Sequence, residues 1–87
     1  MSVKMVLHPF LNNGVETTID VEGKTTGDCI KAVMKQYPAM EKKMFAKPGQ
    51  LKGYVEIMVN GKPVQSELGT QVDNGDTVSV LVFLAGG

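Results

Sequence analysis

Asp73-Asn74-Gly75-Asp76-Thr77-Val78-Ser79-Val80-Leu81-Val82-Phe83 is the stretch on which the fold turns. Its first four residues form a tight turn, because glycine and Asx residues accept the backbone angles that turns demand. Thr77 to Phe83 then reads as a strand with apolar residues on both faces: Val78, Val80 and Val82 on one, Leu81 and Phe83 on the other. Edge strands are usually protected by charge, and this one carries none, so it belongs in the centre of a sheet.

Working backwards, Tyr54 to Val59 is a strand with Val55, Ile57 and Val59 on one face. Asn60-Gly61 behind it is the strongest short hairpin signal, and Lys62 to Gln65 returns as a short strand. Lys47-Pro48-Gly49-Gln50 fits a type II turn, with proline at its second position and glycine at its third. Val3 to Leu7 is an apolar run ended by Pro9, which has no N–H to continue a ladder. Val15 to Val21 alternates with period two, placing Val15, Thr17, Ile19 and Val21 on one face of a half-buried strand. Asn12-Asn13-Gly14 suits the loop between these two antiparallel strands.

Between the strand groups lies one helix. Gly23 breaks the second strand, Thr25 or Thr26 offers the capping hydroxyl, and Asp28 suits the positive end of the helix dipole. Ile30, Val33, Met34 and Tyr37 recur at helical spacing as one apolar stripe, and Pro38 ends the helix. A short second turn from Ala39 to Phe45 adds Met40 and Met44. The order β-β-α-β-β-β, with a helix that must bury its stripe across one sheet face, is an α+β fold: a small mixed sheet clasping one helix.

The whole chain has 87 residues, 43% of them hydrophobic, with nine lysines, nine acidic residues and no arginine. That allows one shallow-cored domain and makes a deep catalytic pocket an unlikely expectation. Zero net charge without arginine argues against nucleic acid as a partner. The lone Cys29 excludes an internal disulfide, and no apolar run reaches the roughly 18 residues that span a bilayer. With no basic leader before an apolar run, a cytoplasmic protein without a membrane partner is expected.

Single residues read blandly. Cys29, in the first helical turn, is a small core hydrophobe, and His8 is a solvated loop residue. Asp73 and Asp76 serve a turn, since a calcium site needs more oxygen ligands. Lys42, Lys43 and Lys47 alternate with Glu41 as a solvated face. No metal site and no catalytic triad is expected, so the chain is not read as an enzyme.

The chain closes on Leu84-Ala85-Gly86-Gly87, directly after the central strand. The reading is a single domain over residues 1–83 and a flexible diglycine tail over 84–87. Lacking Cβ atoms, Gly86 and Gly87 can thread a narrow channel and present a carboxylate to another protein's active site. A carboxylate is a poor electrophile until ATP converts it to an acyl-adenylate.

The strand order, the hairpin VNGKPV (59–64), the turn and strand VDNGDTVSV (72–80) and the terminal AGG together resemble the ThiS/MoaD family of sulfur carrier proteins. The span KQYPAMEKKMFAKPGQLKGYVEIMVNG (35–61) is most similar to CysO-type carriers of cysteine biosynthesis and to small archaeal ubiquitin-like modifiers. The resemblance covers nearly the whole chain and implies a ubiquitin-like β-grasp fold, a mixed four- or five-stranded sheet around one main helix. It also implies parallel pairing of the first and last strands.

By the same resemblance, an E1-like adenylating enzyme uses ATP to activate Gly87, with Gly86 and Ala85 as the slim tail. A sulfide or persulfide source then yields a thiocarboxylate, and an acceptor enzyme, cysteine-synthase-like in the CysO branch, takes the sulfur. The carrier itself holds no cofactor stably. The alternative is a ubiquitin-like modifier joined through Gly87 to target lysines. A third reading, of another class, is an interaction module with an inert tail. Met58 is expected to face out beside Leu81 and Phe83 and, with Leu84, to form the patch that docks the activating enzyme. Many tails of the family carry prolines before Ala-Gly-Gly. Val82, Phe83 and Leu84 stand there in this chain, which favours a strand-like tail base and argues against the molybdopterin-synthase subunit.

Overall fold

The computed structural model describes residues 2–64 and 66–83. Five strands form one mixed sheet: β1 (Val3–Leu7), β2 (Thr17–Val21), β5 (Val55–Val59), β6 (Lys62–Pro63) and β7 (Thr77–Val82). Their spatial order is β2-β1-β7-β5-β6, so β7 is central, as its two apolar faces require. It pairs parallel with β1, Leu7 opposite Val80, and antiparallel with β5, Ile57 opposite Val80.

The helix α1 (Thr26–Gln36) crosses one face of this sheet. Thr25 Oγ1 accepts from the Asp28 N–H at 3.1 Å, which fixes Thr25 as the cap, and Tyr37 ends the helix before Pro38. Ile30 and Val33 are buried against Met5, Leu7, Ile57, Val78 and Val80. The short helix α2 (Met40–Met44) closes the core with Met40 and Met44, both buried. Asn60 at φ 52° and Gly61 at φ 79° make the left-handed pair that a two-residue hairpin needs.

Four boundaries differ from the sequence reading. Strand β2 starts at Thr17, because β1 ends at Leu7, the partner of Thr17, and leaves Val15 nothing to pair with. Val15 is 60% exposed. Before it, Pro9–Asn12 coil into a 3₁₀ turn closed by Asn13 in the left-handed region. The short strands β3 (Phe45–Lys47, with a bulge) and β4 (Gln50–Leu51) form a separate small hairpin around Gly49 at φ 79°. Strand β5 begins at Val55 rather than Tyr54, and β6 covers only Lys62–Pro63, with Gln65 outside the described residues. Strand β7 stops at Val82, so Phe83 follows it.

Two ties hold the end of the sheet away from the tail. The Asp76 carboxylate accepts from the Asp73 N–H at 2.8 Å and from Asn60 Nδ2 at 3.0 Å, and Asn60 Oδ1 accepts from the Thr77 N–H. The two aspartates thus serve the turn. The Asp73 backbone bond, then the Asn60 side chain, hold the Asp76 carboxyl below its usual range. The start of α1 is tied by Gly27, whose N–H donates to the Leu68 carbonyl at 2.8 Å.

Two outcomes follow. A Cβ at position 27 would stand 2.5 Å from the Leu68 carbonyl oxygen, so Gly27→Ala is expected to lower stability in urea titration. The cost is about 1–3 kcal/mol, as for other overpacked sites. Because the Asp76 carboxyl is more acidic folded than unfolded, its contribution is present above the unfolded value near pH 4 and lost as pH falls further. The stability gap between the natural protein and Asp76→Asn should therefore be full at neutral pH and close in acid.

Candidate functional site

The C-terminal end of β7 is the place where the rigid body meets the tail. Val82 is buried opposite Val55, and the Phe83 N–H donates to the Tyr54 carbonyl at 2.8 Å. That bond adds one more anchor beyond the strand itself. Leu84, Ala85, Gly86 and Gly87, all singled out in the sequence, lie outside the described residues.

Tyr54 is itself held on two sides. Its hydroxyl donates to the Lys43 carbonyl at 3.0 Å, and its ring meets that of Phe10 edge-on, with centroids 5.9 Å apart at 85°. Lys43 Nζ donates to the Phe10 carbonyl at 3.2 Å and to Asn13 Oδ1 at 3.0 Å, and it stands 5.5 Å from the centre of the Phe10 ring. This corrects the reading of Lys43 as part of a solvated face. Its side chain, half-buried as a whole, joins α2 to the loop between β1 and β2 through exposed hydrogen bonds of the ammonium, while Lys42 and Lys47 are exposed as expected.

The three expected docking residues within the described chain fall in two places. Met58 lies opposite Ser79 and Leu81 opposite Glu56, so they are diagonal neighbours on the sheet face away from α1. Both are half-buried rather than fully outward. Phe83 is 59% exposed and sits past the strand end. Sequence reasoning missed Phe10 and Val15, the other two large hydrophobics that stand exposed among the described residues. The signal lay in strand direction: once β1 and β7 run parallel, the residues after Leu7, before Thr17 and after Val82 share one end of the sheet.

Other features lie elsewhere. A groove of about 650 Å³ runs between α1 and the β3–β4 hairpin over Ile30, Met34 and Phe45, and it shares no lining residue with β7. His8 is more than a solvated loop residue: its Nδ1 accepts from the Phe10 N–H at 3.0 Å and caps the 3₁₀ turn. Among the described residues, no group of three His, Cys, Asp or Glu side chains is placed to hold a metal ion. No described helix is long and apolar enough to cross a membrane.

Comparison with known proteins places this geometry. The model of the ThiS family matches residues 10–87. The sulfur carrier protein CysO of Mycobacterium tuberculosis is 29% identical over 91 residues, covering all of this chain and 96% of its own. The crystal structure of SAMP1 from Haloferax volcanii superposes with a TM-score of 0.79 at 25% identity, each chain covered completely. CysO in the Amycolatopsis orientalis BexX/CysO complex shares the fold, with a TM-score of 0.80 at 22% identity over 98% of this chain and 99% of that one.

The one thiol is set apart from the tail. Cys29 is fully buried in the core, and burial first, then the Asp28 carboxylate, push its pKa up. It stays protonated at neutral pH, which removes both nucleophilicity and access. A disulfide reagent such as DTNB is expected to leave the folded protein unmodified and to react with one thiol per chain once urea unfolds it. Fast reaction in the native state would contradict this account.

Proposed function

The chain belongs to the ThiS family, and on that premise we propose that it is a sulfur carrier whose Gly87 carboxylate is activated and loaded by partner enzymes. The observation that supports this most is the seat of the tail. A central strand, paired on both sides, ends at Val82, five residues short of Gly87, and the Phe83–Tyr54 bond anchors the residue after it. The fold then serves as a rigid handle, and Ala85, Gly86 and Gly87 as the part that enters another protein's site.

The chemistry is divided accordingly. In the partner, a Gly87 carboxylate oxygen attacks the α-phosphorus of ATP and displaces pyrophosphate, leaving an acyl-adenylate. A sulfide attacking the carbonyl carbon expels AMP and gives the thiocarboxylate directly. A persulfide gives an acyl disulfide instead, which a thiol cleaves to the same product. The thiocarboxylate sulfur then attacks an acceptor carbon on a second enzyme, such as the activated precursor of cysteine in the CysO branch, displacing that acceptor's leaving group. Cleavage of the resulting Gly87 acyl bond by water frees the product and restores the carboxylate. Met58, Leu81, Phe83 and Leu84 would dock the activating enzyme, and the carrier contributes no catalytic side chain of its own.

A second reading draws on the likeness to SAMP1, a small archaeal modifier. Here the same adenylate is attacked by a lysine amine and Gly87 ends in an isopeptide bond. Intact mass spectrometry of the protein isolated from its native host separates the two. Exchange of one oxygen for sulfur at Gly87 is the expected result, and Gly87-linked peptides on other proteins would support the modifier. Deletion of Gly87 should abolish loading completely; a sulfur-dependent pathway that runs unchanged with that deletion overturns both readings.

A further inference from the structure

The surface around the tail base has a chemistry of its own, distinct from the open sheet face. Phe10, at 39% exposure, Val15 at 60% and Phe83 at 59% are the large hydrophobics that stand exposed among the described residues. All three stand at one end of the sheet, because β1 and β7 finish there and β2 begins there. The residues between them are tied together. Phe83 bonds to the Tyr54 backbone, the Tyr54 ring packs on Phe10, and Lys43 ties the Phe10 carbonyl to Asn13, two residues before Val15.

The same end is basic. Lys43 Nζ stands 5.5 Å from the Phe10 ring centre, and it brings positive charge to this end together with Lys52, within a chain whose net charge is zero. Lys52 Nζ lies 5.8 Å from the centre of the Tyr54 ring, and Lys43 binds a carbonyl and an amide oxygen, so neither charge is neutralised by those contacts. Carboxylates flank the other side of Phe83, where Glu56 and Glu67 line a shallow hollow beside it. The collar is thus apolar at the tail base, basic toward α2 and acidic toward β6.

We infer that this collar, formed by Phe10, Val15, Lys43, Lys52 and Phe83, is a docking surface for the rim of the adenylating enzyme's tail channel. The rim it fits is apolar where it meets Phe10 and Val15 and acidic where it meets Lys43 and Lys52. The inference rests on the carrier reading, since that reading is what brings a partner to the tail. Apolar area at the base supplies contact, and the split of charge on either side fixes the rotation of the body about the tail. Opposite charges across the collar also hasten encounter, an effect that salt removes.

The test measures ATP–pyrophosphate exchange by the host's adenylating enzyme, with the carrier as varied substrate. Val15→Ser and Lys52→Gln change side chains with no hydrogen-bonded role in the fold, and a Lys43→Gln/Lys52→Gln pair strengthens the charge effect. Each is expected to raise KM about three- to tenfold at low salt with kcat unchanged. KM of the natural protein should rise with salt, and the lysine variants should meet it by about 0.5 M. Lys24→Gln, on the loop before α1, should match the natural protein throughout. Thermal unfolding of each variant separates loss of fold from loss of docking.

Exchange that proceeds with unchanged KM and salt dependence in the folded collar variants would overturn the inference and leave the carrier reading standing. No exchange with the natural protein would count against the carrier reading itself. A dimer in sedimentation that Val15→Ser dissolves would overturn it in favour of self-association.

Discussion

Everything in this molecule depends on β7 being paired on both sides. Its hydrogen bonds to β1 and β5 join the first and last thirds of the chain, and its inward residues Val78, Val80 and Val82 meet the face that α1 covers. A single strand in that position makes the core continuous across a sheet only five strands wide. It also determines where the chain leaves the body, since no residue after Val82 belongs to a described strand.

The centrality of β7 was legible because burial on two faces leaves a composition that edge strands avoid. So were the Thr25 cap, the α1 stripe, the Asn60-Gly61 hairpin and the Met40–Met44 turn, each written in neighbouring residues. Parallel pairing of β1 with β7 was not legible in the residues themselves. Period-two alternation states which way a side chain points, not which strand lies alongside, and only family resemblance supplied the partner. Val15 shows the same limit: it keeps the alternation of β2, but a strand ends where its partner ends, and β1 stops at Leu7. The hairpin of β3 and β4 is too short to show any period, so only its Pro48-Gly49 turn announced it.

The tail on which the proposed chemistry rests is written in the sequence, whereas the surface around its base is not. A terminal diglycine behind a central strand is visible in one dimension. The contacts around Phe10, Lys43 and Tyr54 are not, because they join residues from 11 to 44 positions apart. A lysine run beside a single glutamate looks solvated until the carbonyl and ring that receive one of its ammonium groups are brought to it by the fold. Cys29 was legible as a small core hydrophobe, and it is fully buried. Burial and the neighbouring Asp28 carboxylate raise its pKa.

The parallel alignment of β1 and β7 has a mechanical consequence. Tension applied to the tail while the body is gripped runs along β7, at right angles to most of its hydrogen bonds to both neighbours. The ladders are then loaded in shear, where the bonds share the force and must fail together, rather than peeled open one at a time as a hairpin end would be. Under the proposed carrier function, a tail drawn into a channel, held and pulled free again is attached to the strand best placed to bear that load.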